Sequence, residues 1–149
     1  MLASAQAVNG VAALIESVTG MTGKVHTSRA WPLTPADLPA WRVVADDEEI
    51  EAQGVGFPAK QMHDLRVVAH GYARDKEDLD DTLHEMAAAA LAKLFESKAA
   101  TKLSPLNCSM SLKRIERDMV SEGEAAMGRI SLFLLVRFFT SNNAPETIV

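Results

Sequence analysis

The sequence predicts an α+β fold, with a mostly antiparallel sheet of four to five strands packed against two amphipathic helices. Three observations predict it: two segments carry apolar residues at helical spacing, several others alternate apolar and polar residues, and the length suits one core. The chain has 149 residues, and domains most often contain about 100–150 residues. We therefore predict a single domain over residues 1–149, in which residues 141–149 form a flexible tail.

The first helix is predicted over residues 3–19, because its apolar residues recur with a period of 3.6. They are Ala7, Val8, Val11, Leu14, Ile15 and Val18. Gly20 is placed to end the helix. Residues 21–40 are predicted to be mostly connection, with a short strand around 24–31, since three prolines prevent a regular helix there.

Two strands are predicted next, over residues 40–53 and 61–74. The first begins apolar at Trp41 and turns acidic, so it should run from the core into solvent. The second alternates, and its core face is predicted to consist of Leu65, Val67, Ala69 and Gly71.

A second helix is predicted over residues 76–97, with Asp75 as a candidate N-cap.

A hairpin over 107–119 and 128–140 follows. Ile115 breaks the alternation of its first arm, so either a bulge or a loss of burial is expected near Lys113 and Arg114. The second arm is apolar on both faces, which is typical of a strand covered on both sides or covered by a partner.

The charge balance excludes some partners. Twenty acidic residues against fifteen basic ones give a net charge of −5, so general binding to nucleic acid or to an anionic membrane is not expected. The longest strictly apolar run, residues 86–92, is far shorter than the roughly 20 residues that span a bilayer.

The single cysteine, Cys108, cannot form an internal disulfide, and we expect it to be a buried, inert thiol.

Motifs for catalysis are missing from the sequence. It contains no G-x-S-x-G, and the His84-Glu85 pair has Ala88 where a zinc protease has its second histidine. His63 and His70 lie seven residues apart in one strand, so they should point to opposite faces and cannot share a metal. We predict no catalytic residue, no metal site and no cofactor, and hence no enzyme.

Two features suggest a binding partner instead. The first is a group of carboxylates in one strand, formed by Asp46, Asp47, Glu48, Glu49 and Glu51. Such a cluster is either a solvated surface or, repeated around a ring, a negative rim that could give divalent cations a weak effect on assembly. The second is the pair Trp31 and Trp41, which flank the proline-rich loop and belong either to an interface or to the core. Arg129 and Arg137, in the strand that is apolar on both faces, are further candidates for an interface.

The order of these elements resembles the tail terminator proteins of long-tailed bacteriophages, the minor tail protein U type. The likeness begins in residues 29–44, where the turn Ala36-Asp-Leu-Pro-Ala40 leads into an apolar strand and then the acidic stretch. It continues with Leu65-Arg-Val-Val68, a helix opening in Asp78-Leu-Asp-Asp81, and the hairpin 107–140. It covers roughly residues 25–140, and the chain departs from it in a longer connection over 53–61 and a polar tail after 140.

The resemblance implies a structural role at the head-proximal end of a virion tail, with assembly in the host cytoplasm. Family members form a homohexameric ring that caps the major tail tube protein, stops its polymerisation and receives the head–tail connector protein. DNA passes through the lumen without specific binding, and no membrane is involved. The resemblance makes Asp46–Glu51 candidates for the lumen or for a ring face.

Two other readings remain open from the residues. One is another head–tail neck or connector protein of the same shape. The other is a small cellular module that binds a ligand or a protein, which would need a concave apolar pocket with convergent polar groups.

Overall fold

The computed structural model describes residues 1–28, 34–75, 77–96, 108–121 and 126–149. Trp31, one of the predicted interface residues, lies outside these ranges. The elements in chain order are α1 (Ala3–Glu16), β1 (Val25–His26), a 3-10 turn (Pro35–Asp37), β2 (Ala40–Gln53), β3 (Lys60–Arg74), α2 (Leu79–Leu94), β4 (Ser109–Ser121) and β5 (Met127–Ser141).

The five strands form one sheet in the order β1-β2-β3-β5-β4. Only β1 runs parallel to its neighbour, and the other neighbouring pairs are antiparallel. The predicted α+β class is confirmed. The bulge predicted in the hairpin is also present, because the pairing of β4 with β5 shifts between Leu112 and Arg114.

Both helices are shorter than predicted. α1 ends at Glu16, since residues 17–20 form turns in which Gly20 adopts φ +88°. α2 begins at Leu79, because Asp75 caps the preceding turn. Its carboxylate accepts the backbone N–H of Glu77 at 3.1 Å and the hydroxyl of Thr82 at 2.9 Å.

The helices lie on one face of the sheet and enclose the core with it. The large, fully buried side chains include Trp41, Phe138, Ile15, Leu65, Leu94, Ile130, Leu132 and Leu134. The predicted core face of β3 is confirmed: Leu65, Val67 and Ala69 are buried in this cluster, and the indole ring of Trp41 lies over Gly71.

The C-terminal residues 141–149, expected to form a flexible tail, run back beside α1. The N–H of Ala3 donates to the carbonyl of Pro145 at 3.2 Å, and the N–H of Val149 donates to the carbonyl of Phe139 at 2.9 Å. Ile148 packs against the core. These contacts join the end of the chain to the helix layer and to the sheet. The tail sequence has no periodicity from which they could be predicted.

Substitution of Gly71 by Ala tests the contact between Trp41 and β3. An added Cβ would lie 2.9 Å from the indole ring, which is buried and rigid, so we expect a loss of about 1–3 kcal/mol in the free energy of unfolding. Gly128→Ala is the matched control, because its Cβ would meet the ends of the Leu79 and Leu83 side chains, which can rotate. Urea denaturation of both variants measures the difference, and equal losses would contradict the prediction.

Candidate functional site: the open face of the sheet

The face of the sheet opposite the helices is the principal candidate surface, and we refer to it as the open face. No helix in the described ranges lies on it. Alternation along β3 and β5 places two apolar cross-strand pairs there, Val68 with Phe133 and Met62 with Phe139. Val68 is buried, whereas Phe133 and Phe139 are half-buried. The two-sided apolar character predicted for the hairpin's second arm therefore corresponds to one face under the helices and one open face.

A shallow groove of about 520 Å³ crosses the middle of the open face. The polar and apolar residues that line it include Asp46, Arg66, Lys113, Arg114, Phe133 and Leu135. The guanidinium of Arg114 lies 4.2 Å from the centre of the Phe133 ring, within the range of a cation–π contact. The bulges of β2 and β4 lie at the two sides of this groove, since their registers shift at Ala45/Glu48 and at Leu112/Arg114.

Three arginines on the open face are paired with carboxylates. Arg66 donates to Asp47 at 2.7 Å, and Arg129 donates to Asp118 at 3.1 Å. Arg137 makes two hydrogen bonds to Asp64, at 2.7 and 3.0 Å. The two arginines predicted as binding residues are therefore already engaged within the chain. Their pairing removes positive potential from a face that carries several basic side chains.

The Asp64–Arg137 pair has an electrostatic consequence. Hydrogen bonding to Arg137 is the largest cause that holds the pKa of Asp64 below its ordinary value, and the pair raises the pKa of Arg137. Two parallel hydrogen bonds fix the guanidinium in one plane. Arg137 is thus held on the open face beside Phe139 and Leu135 rather than being free to reach a distant ligand.

The carboxylates predicted as one cluster separate into two environments. Asp46, Asp47, Glu49 and Glu51 are exposed. Glu48 instead lies on the helix side of the sheet, because the bulge between Ala45 and Glu48 shifts the alternation of β2. The sequence pattern gave no sign that one of the five would be withdrawn from the charged surface.

Glu48 is partly buried and belongs to a hydrogen-bonded triad with His63 and Thr140 that the sequence does not predict. Its Oε2 lies 2.7 Å from Nδ1 of His63, and Nε2 of His63 lies 2.7 Å from the hydroxyl oxygen of Thr140. The imidazole stacks on the Phe138 ring with centroids 4.7 Å apart. A carboxylate, an imidazole and a hydroxyl in line are the parts of a nucleophile relay. Thr140 is only 1% exposed, however, so its hydroxyl cannot meet a substrate. The hydrogen bonds among these three side chains instead join β2, β3 and β5.

The remaining candidates for chemistry lie apart from each other. His70 faces the open side, where Nδ1 lies 2.7 Å from the Ser131 hydroxyl oxygen, while His63 faces the helices, as the spacing predicts. Cys108 is buried, and burial raises the pKa of its thiol to about 11, which keeps it protonated. Within the described ranges, no group of three or more potential metal ligands occurs. No described helix is long and apolar enough to cross a membrane.

Replacing Glu48 by Ala should destabilise the fold far more than the same change at Glu49. Loss of the Glu48 carboxylate leaves Nδ1 of buried His63 without its acceptor, a defect that costs about 1–3 kcal/mol. Glu49 is exposed, so Glu49→Ala should change the free energy of unfolding by no more than about 0.5 kcal/mol. Chemical denaturation at neutral pH gives both values, and similar losses at the two positions would refute a bonding role for Glu48.

The Asp64–Arg137 pair should make stability depend on acid pH. Because the folded pKa of Asp64 is lowered, its contribution is present above the unfolded pKa of about 3.9 and is lost as the pH falls through the folded value. At pH 7, Asp64→Asn should cost about 1 kcal/mol, and the gap to the wild type should close at acid pH. Urea titrations across pH measure the gap, with Asp46→Asn as the exposed control. A gap that persists unchanged below the folded pKa would contradict the assignment.

Comparisons with known proteins assign no family. No family model matches the chain, and no curated protein matches it. Among solved structures, the chain is similar to a chain in the "Virion of native gene transfer agent (GTA) particle", at 20% identity and a TM-score of 0.39, with 90% of this chain and 87% of that chain covered. It is also similar to the type 4 fimbrial biogenesis protein PilO from Pseudomonas aeruginosa, at 13% identity and a TM-score of 0.34, with 95% and 73% covered. Both TM-scores are low, so neither similarity assigns a function to this chain.

Proposed function

We propose that this chain is a structural virion protein of the tail terminator type. Copies of it form a hexameric ring on the last ring of a phage tail tube, stop polymerisation of the tube and offer the opposite ring face to the head connector. The observation that carries the proposal is the open face. It presents half-buried apolar residues, among them Phe133 and Phe139, in a part of the chain where no described helix covers them. Such a face is typical of a subunit completed by its neighbours.

A ring that caps a tube also needs a surface directed at the tube, and the β2–β3 hairpin supplies a candidate. Every residue from Glu49 to Pro58 is exposed. Val55 is fully exposed and Phe57 is 80% exposed, while Gly54 and Gly56 adopt positive φ values that turn the chain between them. Exposed apolar side chains on a narrow turn suit insertion into a complementary cleft. This turn lies in the connection by which the chain departs from the terminator pattern.

The mechanism requires no chemical step. One ring face would match the end of the tube, and the other would lack the shape that templates a further tube ring. A head-to-tail contact between copies closes into a ring when its rotation closes. The exposed carboxylates of β2 suit a channel along which DNA slides, because like charge repels the phosphate backbone.

A module that binds a small ligand is the second candidate, and the groove on the open face favours it. Its volume of about 520 Å³ is within the range of small-molecule sites, and Asp46, Arg66 and Arg114 converge on its rim. A ligand that binds the monomer in this groove would support the module. A ring that occupies the same surface would support the terminator.

The first experiment measures the mass of the chain in solution by light scattering across concentration, with and without magnesium. The second adds the chain to polymerising tail tube protein and measures tube length by electron microscopy. A six-subunit species and tubes that stop growing are the results expected of a terminator. Tubes of unchanged length, with the chain absent from their ends, would refute the capping role.

Removing the apolar tip of the hairpin should abolish capping and leave the fold unchanged. The variant Val55→Ser/Phe57→Ser replaces two exposed side chains, so the free energy of unfolding should change by no more than about 0.5 kcal/mol. The chain should then fail to limit tube length in the electron microscope assay. Leu2→Ser is the control, because Leu2 is also exposed, at 58%, and lies outside the hairpin, directly before α1. Normal capping by the hairpin variant would exclude this turn from the tube contact.

A further inference from the structure

Two long sheet edges present backbone groups outward. β4 is the last strand of the sheet, and in the described ranges it pairs with β5 alone. Within the described residues, β1 pairs with β2 at Trp41 and Arg42 alone, which leaves the later part of β2, including residues 46–53, at the other edge of the sheet. An edge strand carries a row of unpaired N–H and C=O groups, which is a template for another chain.

The two edges carry opposite charge. Residues 46–53 of β2 contain five carboxylates and no basic residue. The first half of β4 contains Lys113 and Arg114 and no acidic residue, and Arg117 follows. The nearest carboxylate on β4, that of Glu116, already lies 3.2 Å from the Arg114 guanidinium. Two β2 edges therefore repel each other, whereas a β2 edge and a β4 edge attract.

Strand direction and register agree with this charge pattern. Because neighbours from β2 to β4 are antiparallel, β2 and β4 run in opposite directions. The cross-strand row Val44, Val68, Phe133, Arg114 puts Arg114 level with the residue two positions before Asp46. When copies stand side by side in the same orientation, the basic pair of one lies opposite the start of the acidic stretch of the next, and the two strands are antiparallel.

We propose that β4 of one copy adds to β2 of the next copy, so that neighbouring sheets join through backbone hydrogen bonds. The occupant of each edge is thus a second copy of this chain, selected by charge. The contact joins two different surfaces, which generates a ring rather than a two-fold dimer. The inference deepens the proposed function and rests on it for the closed ring, but the edge contact is measured without any tube protein.

The competing reading is that the charges and bulges block all pairing at these edges, as they do in many monomeric sheet proteins. The two readings differ in what charge reversal does. If the edges only block pairing, reversing the sign of their charge changes nothing and the chain stays monomeric. Under selective pairing, each edge tolerates only a partner of opposite sign.

The test uses two charge-reversal variants of the full chain. Asp46→Lys/Glu49→Lys/Glu51→Lys makes both edges basic, and Lys113→Glu/Arg114→Glu makes both edges acidic. Each variant alone should associate at least about tenfold more weakly than the wild type, because like charges then face each other across the contact. An equimolar mixture of the two should recover association, since basic and acidic copies can alternate around a ring with an even number of subunits.

Light scattering and sedimentation velocity measure association, and circular dichroism checks that each variant is folded. Glu77→Lys/Glu85→Lys/Glu96→Lys is the matched control, because these three residues are exposed and lie on or beside α2 rather than in β2 or β4. It should associate like the wild type. Mass recovered only in the mixture supports the pairing and cannot come from unfolded chains.

Three results would overturn the pairing: a wild type that stays monomeric at every concentration, reversal variants that associate normally, or a mixture that remains dissociated. A monomeric wild type that still caps tubes would refute the edge contact and keep the terminator function. A ring with the expected charge behaviour that leaves tube length unchanged would keep the edge contact and refute the function.

Discussion

The antiparallel pairing of β3 with β5 is the constraint on which the rest of the structure depends. The two strands stay in register from Lys60↔Ser141 to Arg74↔Met127 without a bulge. This pair fixes the central rows of side chains, with Leu65 and Leu134 on the helix side and Val68 and Phe133 on the open side. The outer strands β2 and β4 each attach to it with a register shift, so irregularity is confined to the strands that border the sheet.

The bulge of β2 decides which carboxylates reach solvent. Without the shift at Ala45/Glu48, strict alternation would place Glu48 on the same face as Asp46. With it, Glu48 comes within 2.7 Å of His63, and its neighbours stay exposed. One extra residue therefore converts an acidic run into two functions: a bond that holds three strands together under the helix layer, and a charged strand edge.

Much of the fold is predictable from the sequence because apolar alternation and helical periodicity are local signals. The bounds of β2, the core face of β3 and the bulge beside Lys113 follow from such patterns. The links made across the chain do not. Glu48 and Thr140 stand 15 and 77 residues from His63, and nothing local in the sequence indicates that Arg129 and Arg137 are already paired. The sequence predicts Arg129 and Arg137 as binding residues because it does not distinguish an arginine paired across a sheet from an unpaired one.

The open face of the sheet mixes apolar and charged side chains, although no described helix covers it. A sheet with helices on one face buries its apolar residues there and needs polar residues on the other. Here the open face mixes both, with Phe133 beneath the Arg114 guanidinium and Arg137 held by Asp64. Such pairs lower the cost of exposing apolar side chains to water, since the long basic side chains cover them with methylene groups. The face thereby keeps Phe133 and Phe139 half-buried without a helix over them.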